Sequence, residues 1–119
     1  MLNIYWIDVF VKTIKIDGKS YDMKASAFTQ FTYKNETGRS LLSDISDISK
    51  LTEEDYSELE KIEPVINLIL DMSYVMIKEA DEKQVSNKEE FLKNIPTLFD
   101  NVDWINEVMT LALSPLSRG

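Results

Sequence analysis

The stretch from Glu63 to Ala80, EPVINLILDMSYVMIKEA, constrains this chain more than any other. Pro64 suits the first turn of a helix, where its missing N–H would have no partner in any case. From Val65 onward, apolar residues fall on nearly every angle of a wheel that turns about 100° per residue. Asn67, Asp71, Tyr74 and Lys78 follow one another at helical spacing and gather the polar side chains into one narrow stripe. A helix apolar almost all round has to be buried on most sides. A small chain meets that demand either by wrapping the helix in its other elements or by burying it against a second protein molecule. The first alternative makes the stretch the core helix of a small α+β domain. The second makes it a partner-binding surface centred on Ile69, Met72, Val75 and Met76, where flexible thioethers accept many side-chain shapes.

The elements available for wrapping can be placed in order. Ile4 to Ile16 is rich in β-branched and aromatic residues and reads as a strand, with a third strand over Tyr5 to Val11 as a possible subdivision. Asp17-Gly18 is a tight hairpin turn, because such turns need a positive φ that glycine supplies freely. Lys19 to Lys24 alternates Tyr21 and Met23 against polar neighbours and forms the return strand. Ser26 caps a helix from Ala27 to Thr37 that Gly38 stops. Phe28, Phe31 and Asn35 share a face of it, and the spacing of the two phenylalanines predicts core packing. Ser40 caps a short helix, LLSDISDI, whose Leu41, Leu42, Ile45 and Ile48 are expected inward.

Thr52 opens another helix, over 53–62, with Glu53, Glu54 and Asp55 at the positive end of its dipole and Tyr56, Leu59 and Ile62 along it. A kink or break is expected near Glu63, since the residue before a proline is pushed out of the helical region. DEKQVSNKEE reads as a surface connection, and its second half begins a helix capped by Ser86 or Asn87 and anchored by Phe91, Leu92 and Ile95. Pro96 interrupts. The last helix starts at Thr97 or Leu98, with an apolar stripe of Leu98, Val102, Ile105, Met109 and Ala112 flanked by Trp104, Val108 and Leu111. Pro115 is expected to end it.

The fold class expected is therefore α+β. An N-terminal β-hairpin of two or three antiparallel strands precedes a mainly helical part of four to six helices, in one domain over 1–119. The hairpin region covers 1–25, the helical region 26–114 and a tail 115–119.

Composition narrows the chemistry. The 119 residues include no cysteine and no histidine. Disulfides, thiolate metal sites, thiol nucleophiles and every Ser–His or Cys–His arrangement are thereby excluded. Residues 1–40 carry six basic and four acidic groups, whereas the rest carry seven basic and seventeen acidic, for a net charge of −8. An acidic majority of that kind repels phosphate backbones and argues against nucleic-acid binding. MLNIYWIDVFVK is apolar but lacks a basic lead and carries Asp8, so it does not read as a signal peptide. No apolar run approaches the ~20 residues that span a bilayer, and a soluble, intracellular protein is expected.

Carboxylates cluster at Glu53/Glu54/Asp55, Asp44/Asp47, Glu89/Glu90 and Asp100/Asp103. Neighbours on one exposed helix face do not supply the facing pair that glycoside hydrolysis needs. Asp44 and Asp47 lack calcium-loop spacing, and no glycine-rich loop could cradle a phosphate. No catalytic residue, cofactor or metal is expected, and the chain does not read as an enzyme.

The run TIKIDGKSYDMKASAFTQFTYKNETGRSLLSDI resembles the N-terminal half of the tail assembly chaperones of long-tailed siphophages. Ile14, Ile16, Asp17, Gly18, Lys19 and Tyr21 fit that family's hairpin. Phe28, Phe31, Glu36, Thr37, Gly38, Ser40 and Leu41 fit its next helix and stop. The apolar helix 65–80 and the FLKNIP run before a Trp-bearing helix look similar too, whereas residues 1–11 form a longer apolar lead than the pattern has. The resemblance implies a non-enzymatic chaperone. It would bind the long, helical tape-measure protein before tail-tube subunits polymerise, act in the host cytoplasm and be absent from the finished virion. The partners expected are the tape-measure protein and further copies of the same chain, the latter if helix 65–80 is left partly uncovered. The alternative is a small acidic protein–protein adaptor, such as a head–tail connector or an inhibitor of a host protein.

Overall fold

Asp17 and Gly18 both take positive φ, at 50° and 86°, which is the backbone of a two-residue hairpin turn matched to the twist of its strands. The turn joins β1 (Val11–Ile16) to β2 (Lys19–Lys24) in an antiparallel pair whose register sets Ile14 opposite Tyr21 and Ile16 opposite Lys19. The computed structural model describes residues 11–52, 54–55, 58–95 and 103–117. The proposed strand over 4–10, Tyr56, Leu98, Val102 and the start of the last helix lie outside them. Period-two alternation buries Ile14, Ile16, Tyr21 and Met23 on one face, while Thr13 donates to Asp22 (2.7 Å) on the other.

Five α-helices follow among the described residues: α1 (Ala27–Thr37), α2 (Leu41–Ser49), α3 (Leu59–Ala80), α4 (Lys88–Lys93) and α5 (Asp103–Ser117). The fold is α+β, as expected. Local chemistry accounts for most boundaries. Ser26 caps α1 in a reciprocal box with Thr29, and Gly38, at φ 78°, closes it with its N–H on the Lys34 carbonyl. Ser40 caps α2 and Asn87 caps α4.

α3 departs from expectation at its start. It runs unbroken through Pro64 from Leu59, so residues 59–62 belong to it rather than to a separate helix ending at 62. Thr52 and Asp55 instead bond each other's backbone N–H groups, at 2.8 and 3.3 Å, and close a turn ahead of the helix. Pro64 is exposed, so water can serve the Glu60 carbonyl that loses its N–H partner, and proline's own φ is already helical. α5 likewise continues through Pro115 to Ser117, where only the last turn has a hydrogen bond to lose. No tail therefore begins at 115.

The core is one cluster built around α3. Seven consecutive residues, Asp71 to Ile77, are buried, so this part of the helix is enclosed on all sides. β2, α1, α2, α4, α5 and the short 3₁₀ turn Glu82–Gln84 all touch it. Phe91 of α4 sits edge-on to Tyr21 (5.6 Å between centroids) and beside Tyr74 (6.1 Å), and so ties the hairpin to α3. Among the described residues the Tyr21 hydroxyl is buried without a hydrogen bond, and burial raises its pKa. On α5 the buried side chains are Trp104, Val108, Leu111 and Ala112. Ile105 and Met109 are half-buried, so that helix is rotated toward the residues expected to flank its stripe.

The outer edge of β2 is closed by a side chain. Gln84 accepts the Asp22 N–H at 2.7 Å and donates to the Asp22 carbonyl at 2.8 Å, while also reaching the Ile77 carbonyl at 3.1 Å. One amide thus occupies both backbone groups midway along an otherwise open strand edge.

Candidate functional site

The rotation of α1 about its axis decides which of its side chains are exposed. Glu79, near the end of α3, accepts from the Ser26 hydroxyl at 2.8 Å and from the Thr29 hydroxyl at 2.9 Å. One turn on, the buried Tyr33 donates to Asp44 at 2.6 Å. Thr29 and Tyr33 therefore face inward, and the side of the helix about 100° away faces out. Phe28 and Phe31 lie on that outer side, 60 % and 59 % exposed, with rings 5.4 Å apart and tilted by 37°. The expectation that they are core residues is corrected here: the inward positions belong to Thr29 and Tyr33. Leu42 and Leu92, also expected inward, are exposed. On α2 it is Leu41 that is buried, with Ile45 and Ile48 half-buried.

The four residues expected to meet a partner are found inside. Ile69, Met72, Val75 and Met76 all belong to the buried core, which corrects their assignment to a surface. The reason is that the hairpin, α1 and α5 together supply the cover that this helix requires. The patch that was to drive self-association does not exist at these positions.

Asp71 is the polar group this core has to accommodate. Its side chain is 7 % exposed and pairs with Arg39 (2.8 Å) and with Lys88 of α4. Arg39 also binds Asp44 (2.9 Å) and donates to the Tyr33 hydroxyl (3.0 Å), so one guanidinium ties α1, α2 and α3 together. The hydrogen bonds to Asp71 and Asp44 raise the Arg39 pKa. Burial, followed by the bond to Asp44, raises that of Tyr33. The raised pKa keeps Tyr33 protonated, and both carboxylates are ion-paired within the cluster. This cluster is a structural clasp. The sequence held one sign of it: a carboxylate in the middle of an apolar helix needs a cationic partner.

A concavity of about 460 Å³ opens between α2 and the first turns of α3. Ile48, Leu51 and Pro64 supply its apolar floor, and its charged rim mixes Asp44, Asp47, Glu60 and Glu63 with Arg39 and Lys61. Among the described residues no group of three carboxylates is placed to hold a metal ion, Asp44 and Asp47 included. No described helix is long and apolar enough to cross a membrane. No family model, curated protein or solved structure matches this chain.

Proposed function

We propose that this chain is a protein-binding chaperone of the tail-assembly type, holding an elongated helical tape-measure protein before a tube forms around it. The observation that carries the reading is the paired exposure of Phe28 and Phe31 on α1. Two large rings kept in water forgo about 2–4 kcal/mol of burial, which a client's apolar helix face would recover. Both residues lie within the run that resembles the chaperone family, on the helix that precedes its Thr-Gly stop. The client surface is therefore the outer face of α1, and the long core helix acts as the rigid support behind it.

Co-expression tests the reading. The tape-measure product encoded in the same phage should move into the soluble fraction with the wild-type chain and return to the pellet with Phe28→Ser/Phe31→Ser. A client that stays insoluble with the wild type, or stays soluble with the double variant, overturns it. A stable complex with a host enzyme and none with the tape-measure protein would identify the chain as an adaptor instead.

A further inference from the structure

The groove between α2 and α3 differs in chemistry from the aromatic face of α1. Its two cations are already engaged. Arg39 is held by Asp44 and Asp71, and Lys61 by Asp55 (2.8 Å) and Glu58 (3.5 Å). Asp47, Glu60 and Glu63 are exposed and make no side-chain hydrogen bond or ion pair with any described residue. Pro64 adds an acceptor, since it has no N–H for the Glu60 carbonyl and both residues line the groove. The rim thus carries three carboxylates with no partner among the described residues, beside Asn67 and the two engaged cations, set around the apolar floor of Ile48, Leu51 and Pro64.

We propose that this groove docks a basic amphipathic helix of a partner protein, with Leu- or Ile-like side chains on the floor and Lys or Arg on the rim. Charge complementarity selects the occupant: only a donor-bearing cation satisfies three free carboxylates and an orphan carbonyl together. A metal ion fails because the carboxylates are not gathered closely enough to share one. Nucleic acid fails because its phosphates meet the same negative rim. An open trough between two helices is the shape that accepts a third, read through anchors at helical spacing. This inference rests on the groove alone and is independent of any role of Phe28 and Phe31.

The probe is a synthetic peptide of about five helical turns, with Leu at i, i+3 and i+4 and Lys elsewhere. It is titrated into the isotope-labelled full chain at near-physiological salt. Amide shifts should gather at Ile48, Leu51, Glu60 and Asn67. Asp47→Asn/Glu60→Gln/Glu63→Gln should weaken binding about tenfold, the scale expected for three rim charges. Glu63→Lys alone should weaken it in the same direction, and Phe28→Ser/Phe31→Ser should leave it unchanged. Equal binding of a peptide with Ser in place of Leu overturns the proposal, since charge alone would then suffice. So do shifts located elsewhere, unaltered affinity in the triple variant, or no binding at all. Loss of binding in the phenylalanine double variant would move the peptide to α1; that sinks the groove and leaves the client reading standing.

Discussion

Along α3, the residues from Asp71 to Ile77 are enclosed by strand, helices and a 3₁₀ turn, whereas one helix away Phe28 and Phe31 stand largely in water beside each other. Apolar content does not explain the contrast, since both regions are rich in large hydrophobic side chains. The difference lies in freedom of rotation. A helix apolar all round has no face to expose, so it is buried whichever way it turns. α1 has two rival faces, and polar bonds choose between them. Turning it to bury the phenylalanines would regain about 2–4 kcal/mol. It would forfeit two hydroxyl bonds to the Glu79 carboxylate, each worth roughly 1.5–3 kcal/mol, and the burial of Tyr33 as well. The polar side wins.

The sharpest break of this contrast is a charge placed on the enclosed helix. Met76→Asp should cost about 4 kcal/mol or more and remove the cooperative urea transition, because an unpaired carboxylate has no place in that core. A folded variant with native near-ultraviolet circular dichroism would show that α3 is not enclosed. Arg39→Met tests the clasp that orients α1 and α2 against α3. It should cost about 1–2 kcal/mol, discounted because Arg39 is partly exposed and Lys88 remains on Asp71. An unchanged urea midpoint would remove the clasp from the account.

Phe28→Ser/Phe31→Ser should shift stability by no more than about 0.5 kcal/mol, the usual range for surface sites. A loss of several kcal/mol would mean that the pair packs after all. The smallest effect belongs to Asp55, just ahead of α3. The hydrogen bond from Lys61, followed by the Thr52 N–H, lowers its pKa from 3.8 to about 2. A folded value below the unfolded one stabilises the fold above pH 3.8, and that contribution fades as the pH falls toward 2. A carboxyl titration by NMR should find the midpoint near 2, and Lys61→Met should return it toward 3.8.

Wherever a single residue type dictates backbone or burial, the architecture was legible in the sequence. Asp17-Gly18 forces a hairpin, Ser26 and Gly38 bracket a helix, and the mostly apolar run 65–77 demands burial, although the sequence alone left open whether this chain or a partner supplies it. Pro64 misled because its penalty depends on whether water reaches the orphan carbonyl, which is a tertiary fact. Phe28 and Phe31 misled because hydrophobicity names a face without saying that Thr29 and Tyr33 have better partners. The pair Thr29 and Tyr33 at four-residue spacing, with Ser26 and Thr29 forming a capping box, is the signal that could have indicated the inward side. The groove was not legible, because Ile48 and Glu60 come together only through the packing of α2 on α3.

The Gln84 amide on Asp22 gives the sheet a valence. A strand pair with two open edges can add neighbours in both directions and so can template an unbounded stack. With the outer edge of β2 plugged at its midpoint, no further strand can add on that side. In polymer terms the β2 edge is a capped end. That cap on the β2 edge comes from one side chain 62 residues away in sequence.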